Sequence, residues 1–374
     1  MDSGNRLVLD VDAIPHPGEL VLEYLEVNGW TQQDLARRTE LTPKTISEIC
    51  NGKTSITPQT ALLLEKVLRR PARFWLNLQR QHDEAQERKR QTARTSDWFD
   101  WARSFPLKEM REKRFSLPEG GSEPETLLSF FGVSSPRSWQ SVWKAAPIAY
   151  RQTRSFSIRE EAVAAWVRET ELLAGQFHLA DFNDHLLTET LTKLRQLSRV
   201  RAEEIIEPVQ QLCAAAGVAV VWVPELKNTG ISGCARWLND KKALVGLTLR
   251  YKTDDQMWFT LFHEIGHLLL HRVQRRFVID NAAEDLTDPV IDPEMRKYEV
   301  EANQFAADSL IPPGVLGTFI KRNSFTSESI HDFAEFIGVG PGIVVGRLQH
   351  DGILKPHQGN KLKQTLNWNF SGEE

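Results

Sequence analysis

His263 and His267 stand four residues apart inside Leu261-Phe-His-Glu-Ile-Gly-His-Leu-Leu-Leu270, an apolar run of helical length, and no other pattern constrains the fold as tightly. Residues four apart share one face of a helix, so both imidazoles aim at one point. A helix this apolar is buried, and buried polar side chains need a partner. One zinc ion held by both rings supplies it. Glu264 then lies beside the metal rather than on it, placed to take a proton from a water that the cation has made acidic. The competing reading is a buried helix with incidental histidines.

A hydrolytic zinc takes three protein ligands and keeps one position open. The extended pattern of the metzincins needs a histidine at position 273, which is Val273 here, so that class is excluded. His271, one turn past His267, reads as a surface or supporting residue. About thirty residues downstream, Glu299-Val-Glu-Ala-Asn-Gln-Phe-Ala-Ala307 forms a second helical run with Ala302, Phe305 and Ala306 on its apolar face. A glutamate in its first turn reaches the metal, and the residues alone leave both Glu299 and Glu301 open.

His263-Glu-x-Gly-His267, Glu299-x-x-Ala-Asn-x-Phe-Ala306 and Leu310-Ile-Pro312 together resemble the ImmA/IrrE family of zinc metallopeptidases, over roughly residues 200 to 313. That family includes proteases that cleave helix-turn-helix repressors. The resemblance implies Glu299 as third ligand, Zn²⁺ as cofactor, Glu264 as catalytic base, and hydrolysis of a peptide bond in a protein such as a repressor or toxin. Tyr298 and Arg250 are candidates for stabilising the oxyanion by their nearness to the motifs. The segment Ser232-Gly-Cys-Ala-Arg236 is a candidate edge for an extended peptide.

The first ninety or so residues read as short helices. Thr31 caps Gln32-Gln-Asp-Leu-Ala-Arg-Arg38; Thr42 and Pro43 open a helix that closes at Asn51-Gly52; Thr57-Pro58 and Pro71 open two more. Residues 31 to 52 have helix-turn-helix spacing, with Leu35, Ala36, Leu41, Ile46 and Ile49 facing inward. Pro43, Lys44, Thr45, Ser47 and Glu48 lie on or near the exposed start of the second helix, and Gln32 sits at a helix N-terminus suited to a phosphate oxygen. The segment from about 12 to 80, above all Trp30-Thr-Gln-Gln-Asp-Leu-Ala36 and Ile46-Ser-Glu-Ile-Cys-Asn-Gly-Lys53, resembles the Xre-type helix-turn-helix of HigA-like antitoxins. Binding of double-stranded operator DNA is what that likeness implies. The competing reading keeps the fold as a protein-docking platform.

The remainder sets the frame. Strand-like runs Val218–Val223, Ile231–Leu238 and Ala243–Leu249 precede the histidine motif, and Asp83 to Arg90 reads as a solvated helical linker. The expected architecture is multidomain and mainly α: an all-α helix-turn-helix domain (1–95), a helical middle segment (96–200), an α+β zincin-like peptidase domain with a small sheet (201–313) and a helical extension (314–374). Three scattered cysteines exclude a disulfide framework or a Cys-rich zinc site. No apolar run approaches the 18 or so residues of a spanning helix, and Asp2, Asp10 and Asp12 leave no secretory pattern at the start. The expected setting is therefore cytoplasmic, with no membrane contact, and a homodimer stands among the expected partners beside DNA and a protein substrate or toxin. The net charge of -4 hides two opposed regions. Residues 41 to 80 carry seven Lys or Arg against two acids, while residues 281 to 301 carry seven acids against two bases. The alternative function is a HigA-like antitoxin or transcriptional regulator whose metal site is structural or sensory.

Overall fold

The computed structural model describes residues 14–144, 159–248, 250, 252–271, 278–281 and 293–366. The chain divides into two compact units, Met1–Phe99 and Asp100–Glu374.

The first unit is all helical: α1 (Pro17–Asn28), α2 (Gln32–Thr39), α3 (Pro43–Cys50), α4 (Pro58–Leu68) and α5 (Ala72–Thr95). Local chemistry sets these boundaries. The hydroxyl of Thr31 accepts from the Asp34 amide while the Asp34 carboxylate accepts from the Thr31 amide, a reciprocal cap that starts α2. Thr42 and Thr57 cap α3 and α4, each with proline in the first helical position. Val21, Leu25, Leu35, Ile46, Ile49, Leu64 and Trp75 close one core. At Gly18, α1 meets the end of α3 so closely that a Cβ would lie 1.9 Å from the Ile49 carbonyl oxygen. Only glycine permits that approach. The expected linker around Asp83 to Arg90 continues α5 without a break, laced by ion pairs from Glu84 to Arg80 and Arg88.

The second unit holds α6 (Phe99–Ala102), α7 (Leu107–Glu112), α8 (Glu123–Phe131), α9 (Pro136–Trp139), α10 (Glu160–Ala174), α11 (Asp184–Leu197) and α12 (Ile206–Ala215). There follow β1 (Val218–Trp222), β2 (Ile231–Asn239), β3 (Lys242–Leu247), α13 (Asp254–Leu270), β4 (Val278–Asn281), α14 (Pro293–Leu310), α15 (Pro313–Lys321), α16 (Ser327–Ile337) and α17 (Pro341–His350). The sheet order is β1-β3-β2-β4, with β1 parallel to β3 and the other pairs antiparallel. Alternation along β1 sends Ala219 and Val221 to one face and Val218 and Val220 to the other. The first face packs on Val163, Trp166 and Phe130 from the middle helices; the second packs on Leu261, Ile265 and Leu268 of α13 and on the core that α15 to α17 complete.

Two expectations change here. β4 is a fourth strand that the pattern does not signal, because four residues with one acid among them carry no readable alternation. It pairs with β2 from Ile231 to Ala235, so Ser232–Arg236 is an interior strand between β3 and β4, not a free edge for a peptide. The reading of Asp2, Asp10 and Asp12, the end of the third strand at Leu249 and acidic residues 282–292 lie outside the described residues.

The start of α13 is closed by distant chain. Thr253 supplies no side-chain cap. Instead Thr253 bridges to Thr365, the Asp254 amide donates to the Gln364 carbonyl, the Gln364 amide donates to Asp254 Oδ1, and Lys363 pairs with Asp255 at 2.7 Å. Among the described residues, no helix is long and apolar enough to cross a membrane.

Candidate metal centre and helix-turn-helix face

α13 is buried along nearly its whole length, so its polar side chains answer to protein rather than to water. His263 and His267 meet with ring centroids 4.6 Å apart and planes at 80°. Their Nε2 atoms are 2.9 Å apart, and Glu299 closes the triangle, with Oε2 at 3.3 Å from His263 Nε2 and Oε1 at 3.6 Å from His267 Nε2. One ligand atom from each of the three lies within 4.8 Å of the others, all buried. Ligands about 2.0–2.1 Å from a tetrahedral zinc stand roughly 3.3 Å apart, and the three separations, two of them to different oxygens of Glu299, lie around that value. The donor set and its spacing fit the ion.

The helix crossing explains why Glu299 arrives there. A Cβ on Gly266 would fall 2.9 Å from the Phe305 ring and 3.5 Å from Ala302 Cα, so α14 can lie against α13 only where both present small residues. One turn before Ala302, Glu299 then faces the two imidazoles. Burial pushes the Glu299 carboxyl up, but hydrogen bonding and charge from His263 and His267 outweigh it and hold the group well below the ordinary carboxylate range. Burial also lowers His267, with a further push from His263. Anionic carboxylate and neutral imidazole are the forms that bind a cation.

Glu264 is fully buried and points at the sheet. A Cβ on Gly233 of β2 would sit 2.7 Å from Glu264 Oε1 and 2.7 Å from Thr260 Cγ2. Glycine in a strand interior marks such an approach, a signal that the sequence itself carries. Asn303, also missed, lies one turn after Glu299 with Oδ1 3.0 Å from His263 Nδ1. His271 Nδ1 is 3.2 Å from His267 Nδ1, and its Nε2 is 2.9 Å from Glu301 Oε2. Glu301 therefore stands behind His271, away from the triangle. Tyr298 packs against His271 with centroids 4.4 Å apart and ring planes tilted by 45°, and donates to Glu294; Arg250 donates to the Gly230 carbonyl. Buried Cys213 and Cys234 have thiols pushed up to about 12 by desolvation, which makes them poor nucleophiles and poor ligands.

In the first unit, α2 and α3 present the other set. Pro43 and Lys44 are exposed; Gln32, Thr45, Ser47 and Glu48 are half-buried. Thr45 shares a hydroxyl contact of 2.8 Å with Thr42, Ser47 accepts from Asn51 through its carbonyl, and Lys44 lies 3.9 Å from Glu48 on an open surface.

Residues 22–75 match the helix-turn-helix family model, and residues 247–349 match that of the IrrE N-terminal-like domain, a peptidase family. The uncharacterized HTH-type transcriptional regulator YddM of Escherichia coli (strain K12) is 35% identical over 65 residues, 17% of this chain and 69% of that protein. Virulence-associated protein I of Dichelobacter nodosus is 38% identical over 69 residues, 18% of this chain and 64% of that protein, so less than two thirds of it is spanned. Among solved structures, a HigA-family addiction module antidote protein from Coxiella burnetii shows 32% identity over 22% of this chain and 92% of its own, with a TM-score of 0.21. Pseudomonas aeruginosa antitoxin HigA, solved with the higBA promoter, shows 25% identity over 23% and 90%, also at 0.21. The expected multidomain, mainly helical architecture is met, and the chain belongs to the helix-turn-helix regulators through residues 22–75 while carrying an IrrE N-terminal-like peptidase domain at residues 247–349.

Proposed function

We propose that this protein is a DNA-binding, zinc-dependent endopeptidase that cuts a protein substrate such as a repressor or toxin. The observation that carries the reading is the buried triangle of His263, His267 and Glu299 with Glu264 next to it in the chain. Those three residues would hold the ion. Zinc bound there supplies a Lewis acid that polarises a carbonyl and acidifies water. Glu264, walled by Gly233 and Thr260, accepts the proton of the attacking water and returns it to the departing amine. Its burial keeps bulk water from competing for that proton.

DNA binding rests on the helix-turn-helix family match, the exposed start of α3 and the basic excess of residues 41 to 80. Lys44 and Gln32 engage phosphates, while Thr45, Ser47 and Glu48 face base edges. The decisive experiment compares proteins in cells carrying wild type with those carrying Glu264→Gln. A protein shortened only by wild type identifies the substrate, and hydrolysis by the purified variant should fall about 10²- to 10⁴-fold with zinc retained. If Glu264→Gln keeps zinc and leaves every cellular protein and phenotype as in wild type, the site is structural or sensory and the peptidase reading fails.

A further inference from the structure

We propose that His271 and Glu301 form a fixed relay that sets the tautomer of His267, making His271 a positioning residue and not a ligand. The inference rests on the metal reading of the triangle and deepens it.

Hydrogen-bond chemistry dictates each step. Glu301 is an acid on the surface of α14, its side chain 43% exposed, and an ionised carboxylate only accepts. At 2.9 Å from Glu301 Oε2, His271 Nε2 must therefore carry the proton. With Nε2 protonated, His271 offers Nδ1 as an acceptor in its neutral form, the form that lets His267 keep a lone pair on the nitrogen facing His263 and Glu299. His271 Nδ1 faces His267 Nδ1 at 3.2 Å, which makes the latter nitrogen the donor. The lone pair of His267 is then left on Nε2, the atom 3.6 Å from Glu299 and 2.9 Å from His263 Nε2. His263 reaches the same state by a shorter route, because its Nδ1 donates to Asn303 Oδ1 at 3.0 Å. Both anchors, Asn303 and Glu301, stand on the helix that supplies Glu299. One helix thus provides the carboxylate ligand and orients both imidazoles.

The relay is held from outside. The Tyr298 ring packs on His271, and Lys297 lies 3.7 Å from Glu301 Oε1, while His271 meets Oε2. His271 itself is nearly buried, its side chain 7% exposed, so little water is at hand to replace Glu301 as acceptor. A bond to the nitrogen that does not touch the metal raises the basicity of the one that does and locks the ring plane.

Zinc affinity, measured by competition with a chelator, tests the relay without reference to hydrolysis. His271→Phe keeps a ring against Tyr298 but ends the relay, and should weaken zinc binding about 10- to 100-fold. Glu301→Ala changes a surface side chain, spares folding and should move affinity in the same direction. Glu301→Gln keeps an acceptor oxygen and should restore most of the loss. Nitrogen-15 spectra of histidine-labelled protein, with or without zinc, should show His271 protonated at Nε2 and His267 at Nδ1, a signature that packing alone does not set. A His271 protonated at Nδ1, or zinc affinity within twofold of wild type in both His271→Phe and Glu301→Ala, overturns the relay. Wild type that binds no zinc overturns the metal reading together with it, whereas intact binding with no hydrolysis leaves the relay standing and removes only the peptidase.

Discussion

The α1–α3 contact of the first unit and the α13–α14 contact of the candidate metal centre use the same device, a glycine on one helix that lets the other come close, to opposite ends. α3 buries Ile46 and Ile49 and leaves Lys44 in water; α13 buries its histidines and its glutamate with its leucines. A polar group on α3 is therefore cheap to keep and cheap to lose, because water already solvates it. A polar group on α13 is committed to a partner, and removing that partner leaves a buried group exposed to the full desolvation penalty. The contrast agrees with the proposed assignment of chemistry to α13 and reversible recognition to α3.

Substitutions sharpen this contrast, beginning with the largest effect. His263→Ala should strip the centre of zinc, reducing bound metal from about one ion per chain to none. Metal analysis decides it, and a variant still fully loaded would refute the assigned ligand set. Asp254→Asn probes the same helix through titration. Desolvation, with a smaller push from Asp255, raises the Asp254 carboxyl to about 6 from an ordinary 3.8. The folded state thus binds this proton more tightly than the unfolded chain, so its contribution is present below about pH 4 and lost as pH rises through 6. The variant should flatten that loss by about 3 kcal/mol at most. Urea unfolding of both proteins at pH 4 and 7.5 measures it, and identical pH slopes would dispose of the assignment.

A methyl group at Gly233 should crowd Glu264 and Thr260, lowering kcat while zinc stays bound and costing about 1–3 kcal/mol of stability. Unchanged turnover and melting in Gly233→Ala would mean that β2 does not constrain the base. The smallest effect belongs to α3. Lys44→Ala should weaken operator binding evenly across sequences and reduce the slope of log affinity against log salt by about 1. A slope equal to that of wild type would show Lys44 to be off the phosphate backbone.

What the sequence made legible follows the same division. Caps at Thr31, Thr42 and Thr57 are local, so the helix starts they specify agree with the structure to the residue. The triangle was legible because two of its corners sit on one helix at a fixed spacing and the third lies in a motif of its own. The parts that escaped depend on register between elements. Gly233 meets Glu264 only because β2 lies across α13, Asn303 meets His263 only because α14 crosses at Gly266, and β2 became an interior strand only through pairing with four residues far downstream. The spacing of His271 from His267 signals a supporting residue, but its pairing with Glu301 depends on how α14 crosses α13 and has no mark in the sequence.

The closure of α13 by Thr365 and its neighbours has a consequence for biogenesis. The core of the first unit is drawn from residues 20 to 76, whereas the start of α13 waits for partners about 110 positions later in the chain. A ribosome therefore releases a foldable helix-turn-helix well before the triangle of His263, His267 and Glu299 can be assembled. On the proposed function, a chain terminated near residue 360 keeps the helix-turn-helix core and loses the closure of α13, so such a truncation should retain DNA binding and lose hydrolysis.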